Sequence, residues 1–137
     1  MPAAELTEPA LVAWGQEFGR AIRYPRLVAL TGDLGAGKTT LVRAIARAQG
    51  ALEPVTSQSY GIVREYVSPR GHVFHLDLYR LAGPQDLPQI GWEDILRLKA
   101  LVLVEWPERA LGALPPDHDT LHLEHVPGRP DVRRLTW

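Results

Sequence analysis

Apolar residues recur every three or four positions between residues 11 and 22, which is the spacing of one helix face. Thr7 precedes this segment, and its hydroxyl can cap the start of a helix. The apolar run 26–30 predicts a strand that is buried on both faces, because it does not alternate with polar residues. Helical spacing returns over 38–49, and Gly50 follows as a typical helix terminator. The first part of the chain therefore predicts a helix, a buried strand and a second helix.

The rest of the chain is richer in strand-like segments. In chain order, the patterns predict a hairpin of strands 60–67 and 72–78, a broken helical segment 84–98, an apolar strand 101–105, a short helix after Pro107, and a closing hairpin of strands 120–126 and 132–137. Residues alternate within 72–78, so Val73, His75 and Asp77 share one face of that strand. The length of 137 residues fits one domain spanning residues 1–137.

Composition narrows the function classes. With 15 basic and 16 acidic side chains and a formal net charge of −1, the chain lacks the broad basic face of an independent nucleic-acid-binding protein. It has no cysteine, which excludes disulfides, thiolate metal sites and a cysteine nucleophile. No apolar run approaches the ~20 residues that cross a bilayer, and the first residues do not have the pattern of a signal peptide. We therefore expect a cytoplasmic protein outside the membrane.

The strongest chemical signal lies in residues 30–40, Leu-Thr-Gly-Asp-Leu-Gly-Ala-Gly-Lys-Thr-Thr. They satisfy the pattern Gly-x-x-x-x-Gly-Lys-Thr between a predicted buried strand and a predicted helix, the context in which this motif forms a phosphate-binding loop. Lys38 would reach the β- and γ-phosphates of a nucleotide, and Thr39 would bind Mg²⁺ through its hydroxyl. The structural alternative is a glycine-rich turn that contains Gly-Lys-Thr by chance.

Hydrolysis also needs groups that hold the metal ion and position the attacking water. Glu105 ends the apolar strand 101–105, so at the carboxyl edge of a parallel sheet it would face the phosphates. Asp77 closes a second strand in the same way. The alternative for each is a strand-end carboxylate that is solvated or paired with a cation. We expect Lys38, Asp77 and Glu105 to be the catalytic residues.

Three further features bear on the nucleotide and its surroundings. The chain has no asparagine, so the Asn-Lys-x-Asp element that reads guanine is missing, which favours ATP. Segment 56–60, Thr-Ser-Gln-Ser-Tyr, carries hydroxyls suited to a switch that senses the γ-phosphate, and a polar strand entry fits it equally well. Arg80 and Arg109 are candidates for stabilising the negative charge of the transition state. Trp106 is a candidate for packing in a lid or in the core.

Four segments follow one another along the chain: the phosphate loop 30–40, His75-Leu-Asp-Leu-Tyr-Arg80, Gly91-Trp-Glu-Asp94 and Val104-Glu-Trp-Pro-Glu108. Together they resemble the TsaE (YjeE) family of small bacterial ATPases. The resemblance covers nearly the whole chain and keeps the order of the family's elements. It departs at the switch, where the family's Ser-Pro-Thr-Phe corresponds to Ser57-Gln58-Ser59-Tyr60.

The resemblance implies an α/β phosphate-loop NTPase fold, with a mixed sheet flanked by helices, that binds ATP and Mg²⁺. The implied nucleotide-binding residues are Gly35, Ala36, Gly37, Lys38, Thr39 and Thr40, with Thr7 and Arg129 near adenine. Mg²⁺ would lie on Thr39 and Glu105, and Asp77 would act on the metal shell or the attacking water. The implied role is threonylcarbamoyladenosine modification of tRNA, with weak ATPase activity alone, stimulation by the TsaD and TsaB proteins, and tRNA contacted through those partners.

Two other function classes remain open. A phosphate loop also serves small phosphotransferases, which need an acceptor pocket and a lid, and residues 80–98 are the candidate insert for them. Alternatively, the chain is a nucleotide-gated binding module in which hydrolysis is incidental. The distinction is whether a partner raises turnover or only changes affinity, because binding energy accelerates chemistry only when it is realised in the transition state.

Overall fold

The computed structural model describes residues 2–51, 56–58 and 61–137. The strands in these ranges are β1 (Ala3–Thr7), β2 (Arg26–Thr31), β3 (Thr56–Gln58), β4 (Val63–Ser68), β5 (Gly71–Asp77), β6 (Leu101–Glu105), β7 (Asp119–Val126) and β8 (Arg129–Thr136). The α-helices are α1 (Glu8–Ala21), α2 (Lys38–Ala48) and α3 (Trp92–Arg97), and 3-10 helices cover Pro84–Ile90 and Pro107–Ala110. None of the helices described is long and apolar enough to cross a membrane.

The eight described strands form one sheet in the order β1-β8-β7-β2-β6-β5-β4-β3. The central strands β7, β2, β6 and β5 run parallel to one another. Antiparallel pairs extend the sheet at both edges. This confirms the expected α/β class with a mixed sheet, and it brings the carboxyl ends of β2, β5 and β6 to one edge.

Strand alternation divides the core into two layers, one on each face of the sheet. In β2, Val28 and Leu30 pack in the layer of α1 and α2, while Leu27 and Ala29 pack in the layer of α3. Leu103 of β6 lies in the α2 layer, and alternate residues of a strand share a face, so Glu105 faces α2 as well. Helices on both faces explain why the central strands are continuous apolar runs.

The elements with strong local signals have the expected type and place. Helix α1 begins after Thr7, whose Oγ1 accepts a hydrogen bond from the N–H of Ala10 at 3.4 Å. Helix α2 begins at Lys38, and β6 covers the predicted residues 101–105. The segment 84–98 is broken as expected, because Gly91 adopts a left-handed conformation between the 3-10 helix and α3.

The sequence prediction was wrong at three strands. It missed β1, which is defined by main-chain pairing with residues 132–136 of β8 rather than by an apolar run. It began the last strand at 132, whereas β8 begins at Arg129, because polar residues there pair across the turn with Val126. Strand β4 begins at Val63 instead of 60, and Tyr60 lies outside the described residues.

Helices α1 and α2 approach closely at two glycines of α1. A Cβ atom added to Gly15 would lie 2.8 Å from Leu41 Cδ1. A Cβ atom on Gly19 would lie 2.9 Å from the main-chain oxygen of Ile45. The backbone of α2 cannot move away from such a contact as easily as a flexible side chain can. The side chain of Gln49 also donates a hydrogen bond to the carbonyl of Gly19. This contact anchors the helix that follows the phosphate loop.

We expect Gly19→Ala to destabilise the fold by about 1–3 kcal/mol, the usual cost of overpacking. Alanine normally stabilises a helix interior by about 1 kcal/mol over glycine, so a loss would show that the close approach outweighs helix propensity. Urea unfolding measures the change, and Arg20→Ala, at an exposed neighbouring position, serves as the control. A Gly19→Ala protein as stable as the unaltered chain would contradict this account of the packing.

Candidate nucleotide-binding site

The loop 32–37 joins β2 to α2 and depends on glycine at both of its ends. Gly32 has a φ of 138°, and a Cβ atom there would lie 2.4 Å from the carbonyl oxygen of Leu123 in β7. Gly37 has a φ of 101° and stands directly before α2. Side chains rarely adopt these conformations, so the two glycines let the chain turn tightly against β7 and enter the helix.

The amino end of α2 is arranged to receive an anion. No described side chain caps it, because Gly37 occupies the cap position, and the first turn contains no acidic residue. The first N–H groups of a helix have no partner within the helix, and they carry the positive end of its dipole. Anions such as phosphate bind at such ends. The loop and the start of α2 together have the geometry of such a site.

Lys38 is buried and folds back across the loop. Its Nζ atom lies 2.5 Å from the carbonyl oxygen of Gly32, to which it donates a hydrogen bond. The same atom lies 3.7 Å from the centre of the Trp106 ring, in a cation–π contact. Phosphate oxygens at the loop would therefore compete with these two contacts for the ammonium group.

Burial lowers the pKa of Lys38 below its ordinary value, and the nearby carboxylate of Glu105 is the largest of the opposing influences. A charged group that leaves water loses its hydration, and a negative ligand restores favourable interactions for it. The electrostatics of the loop therefore favour an anion next to Lys38.

Trp106 covers Lys38 from a strained backbone position. Its φ is 57° and its ψ is 52°, a left-handed conformation that bulky residues rarely adopt. Its ring also packs against Tyr79, with 5.0 Å between ring centres. Backbone strain of this kind persists only where surrounding contacts stabilise it, and it is concentrated at functional sites. The position of the strained Trp106 over Lys38 therefore agrees with a functional role for the loop.

Thr39 and Glu105 meet at the carboxyl edge of the sheet. Thr39 Oγ1 lies 3.4 Å from both carboxylate oxygens of Glu105, which is buried at the end of β6. Asp77 ends the neighbouring strand β5 and pairs in register with Glu105. These three residues line one cleft of about 340 Å³ together with the phosphate loop. The sheet therefore brings together the loop and both predicted carboxylates.

The oxygens of Thr39 and Glu105 suit Mg²⁺. Mg²⁺ prefers hard oxygen ligands and is usually held by one or two protein groups, with waters and substrate phosphates completing its shell. Among the residues that the structure describes, no group of three or more acidic or histidine side chains could hold a metal ion by itself. The donor set thus fits an ion bound jointly with a nucleotide.

A second cleft, of about 270 Å³, adjoins the loop on its other side. Its lining residues are Glu8, Leu11, Gly35, Gly37, Thr40, Pro130, Asp131 and Arg133. Thr7 and Arg129, expected near adenine, are the immediate neighbours of this lining rather than part of it. Arg129 is exposed and lies 3.4 Å from Glu5, and the hydroxyl of Thr7 caps α1. Ala36, also expected at the nucleotide, is fully buried within the loop, and its N–H donates a hydrogen bond to the carbonyl of Asp33 at 3.1 Å.

Two residues near the loop were not predicted as site residues. His75 of β5 lies 2.5 Å from Glu105, and alternation along 72–78 could have placed it on that face but not against that carboxylate. Arg133 of β8 donates a hydrogen bond to the carbonyl of Gly35 at 3.3 Å. The pairing of strands far apart in the sequence creates both contacts. Of the expected switch, residues 56–58 form β3, and Ser59 and Tyr60 lie outside the described residues.

The fold and the loop define a phosphate-loop protein of the nucleotide-binding class. A family model described as "Threonylcarbamoyl adenosine biosynthesis protein TsaE" matches residues 6–134. The chain therefore belongs to the TsaE family, which confirms the resemblance of its motifs.

Individual relatives agree with this assignment. The tRNA threonylcarbamoyladenosine biosynthesis protein TsaE of Haemophilus influenzae is 43% identical over 89 residues, which is 65% of this chain and 56% of that protein. The protein of the same name from Mycobacterium leprae is 36% identical, over 92% of this chain and 83% of its own length. The fold is similar to the crystal structure of Bacillus subtilis YdiB, with a TM-score of 0.71 and 22% identity over 98% of this chain and 83% of that one.

We expect Lys38→Ala to weaken MgATP binding by about 10- to 100-fold, the range for hydrogen bonds to a charged group. Titration calorimetry measures the affinity. Lys99→Ala is a matched control, because Lys99 is the chain's other lysine and is exposed after α3. The control should bind MgATP like the unaltered chain, and both variants should unfold at a similar temperature. Unchanged affinity in Lys38→Ala would rule out this loop as the phosphate site.

Proposed function

We propose that this chain is a single-domain ATPase, spanning residues 1–137, that hydrolyses ATP with Mg²⁺ in the threonylcarbamoyladenosine modification of tRNA. The observation that carries the proposal is the meeting of an anion-binding loop, the Thr39 hydroxyl and the buried Glu105 carboxylate at one sheet edge. The pathway is supported by the family match and by the printed names of the relatives. We place the protein in the cytoplasm, where tRNA is modified.

In this proposal, the main-chain N–H groups from Gly35 to Thr40 bind the phosphates, and Lys38 leaves the carbonyl of Gly32 to reach the β- and γ-phosphates. Thr39 and Glu105 hold Mg²⁺, which when bound neutralises phosphate charge. The contacts that support this assignment are the open start of α2 and the 3.4 Å approach of Thr39 to Glu105. Phosphoryl transfer depends mainly on such positioning and charge stabilisation.

Asp77 orients the attacking water or a water in the metal shell. It lines the cleft beside Glu105, and one of its oxygens accepts a hydrogen bond from the N–H of Tyr79 at 3.2 Å. That bond fixes the carboxylate and leaves its second oxygen for water. Thr7 and Arg129 belong to the adenine side, and the neighbouring cleft beside Gly35 and Arg133 supports this placement.

Partners complete the site. An arginine finger can raise phosphoryl-transfer rates by about a thousandfold or more. Among the described residues no arginine lines the phosphate cleft, and Arg80 lies in an adjoining cleft that shares Asp77 and Tyr79 with it. We propose that TsaD and TsaB stimulate hydrolysis and that tRNA is bound through them, because a net charge of −1 gives little attraction for RNA.

Neutralising Glu105 and neutralising Asp77 should have different effects on binding and turnover. Glu105→Gln should weaken MgATP binding by about tenfold or more, because it removes a charged metal ligand, and should have little effect on ATP binding in EDTA. Asp77→Asn should lose turnover while keeping affinity, as expected for a group that acts mainly in the transition state. Calorimetry with and without Mg²⁺ and a phosphate-release assay measure the two effects. Glu17→Gln, an exposed change on α1, is the control. Normal turnover in both variants would refute these roles.

Purified chain should hydrolyse ATP slowly, and the matching TsaD and TsaB proteins should raise its turnover by about a thousandfold or more if they contribute transition-state charge. Binding of tRNA by the isolated chain should be weak and should fall as salt rises. Phosphate release and filter binding measure these quantities, and Lys38→Ala in the same mixture is the negative control. Equal turnover with and without partners, or transfer of phosphate from ATP to a metabolite, would instead support an independent enzyme such as a kinase.

A further inference from the structure

His75 makes a buried contact with Glu105 that the proposed function does not use. Its side chain and that of Glu105 are 6% and 5% exposed, and its Nε2 atom lies 2.5 Å from Glu105 Oε2. A carboxylate that binds a metal ion can only accept hydrogen bonds, so in the role proposed for Glu105 the imidazole donates through Nε2. A buried carboxylate without such a donor would cost free energy, and removal of the donor alone leaves that cost in place.

The sheet register makes this contact specific. Strands β5 and β6 are parallel neighbours in which His75 pairs with Leu103 and Asp77 pairs with Glu105. His75 and Glu105 are therefore diagonal neighbours on the face that α2 covers. Such neighbours are about 7–8 Å apart at their backbones, so only long side chains bridge the gap. The imidazole of His75 has the required reach.

The contact also distinguishes the two oxygens of Glu105. Oε2 accepts the short hydrogen bond from His75, whereas Oε1 does not contact His75; the hydroxyl of Thr39 lies 3.4 Å from both oxygens. The bond restrains the rotation of the carboxylate, and it leaves Oε1 as the oxygen that His75 does not occupy, in the cleft that Glu105 shares with Thr39 and the phosphate loop. A metal-binding carboxylate held by a hydrogen-bond donor behind it is preorganised for its ion.

We propose that His75 is a positioning residue that orients Glu105 so that Oε1 is presented to the nucleotide-bound Mg²⁺. This inference rests on the proposed function, in which Glu105 binds that ion. His75 itself contacts neither nucleotide nor metal, so its whole effect passes through Glu105. Partners of metal ligands commonly change metal affinity or activity by about 10- to 100-fold when they are replaced.

A pair of amide variants tests the role. In His75→Gln the side-chain amide nitrogen can occupy the place of Nε2 and donate to Glu105, whereas the shorter amide of His75→Asn cannot reach it. Both replacements bury the same polar group, so they differ mainly in reach. Calorimetry should show MgATP affinity about tenfold weaker in His75→Asn. His75→Gln should restore most of it, and ATP affinity in EDTA should be the same in both.

A double-mutant cycle shows whether the effect passes through Glu105. His75→Asn should weaken MgATP binding in the unaltered chain and have no further effect in Glu105→Gln, because residues that act through one another are not additive. Equal losses in both backgrounds would overturn the proposal. An unchanged MgATP affinity in His75→Asn, or a loss of the same size in His75→Gln, would also overturn it.

The hydrogen bond can be observed without nucleotide. Nitrogen NMR of the histidine rings in the free protein should show a proton on Nε2 of His75, and Glu105→Gln should shift that signal. A ring protonated on Nδ1 alone would overturn the inference. Failure of the unaltered chain to bind ATP would overturn the proposed function, whereas Mg²⁺-dependent ATP binding that survives in His75→Asn would overturn only the role of His75.

Discussion

The parallel pairing of β6 with β2 and β5 determines the geometry of the site. In this register, Leu30 at the end of β2 and Asp77 at the end of β5 both lie opposite Glu105. The phosphate loop leaves β2 next to Leu30, so the loop and both carboxylates meet at one edge without any long connection. Open α/β sheets generally place ligands at the carboxyl ends of their strands. The antiparallel strands at the two edges extend the sheet without disturbing that arrangement.

The core supports the site through the same alternation. On the face toward α2, Val73 of β5 and Leu101 and Leu103 of β6 are apolar, and the residues that follow them toward the carboxyl ends are polar: His75, Asp77 and Glu105. Helix α2, which begins with Lys38 and Thr39, is fixed against α1 at Gly15 and Gly19. Helix α2 is thus held by contacts of residues 41–48 with α1, which leaves its first N–H groups available for a ligand.

The sequence predicts the site where its signals are local. The strand, loop and helix around Lys38 are each marked by local sequence signals: an apolar run, glycines and helical spacing. The apolar run before Glu105 identifies the end of a buried strand. The sequence could not predict contacts that depend on the pairing of distant segments. The bond from His75 to Glu105 needs the register of β5 against β6, and β1 exists only because β8 offers an edge to pair with. The orientation of Lys38 under Trp106 was likewise beyond local patterns, since it depends on a left-handed backbone at Trp106.

The contact between Lys38 and Trp106 has a consequence for the timing of a nucleotide cycle. The ammonium group of Lys38 already contacts the carbonyl of Gly32 and the ring of Trp106, so a phosphate that binds must replace these contacts. Cation–π contacts of about 0.5–2 kcal/mol lower the net affinity for phosphate by a factor of roughly 2 to 30. The same contacts are available again when the ligand leaves, so they favour its release as much as they oppose its binding. In the ATPase cycle that we propose, this exchange would weaken the retention of nucleotide between turnovers.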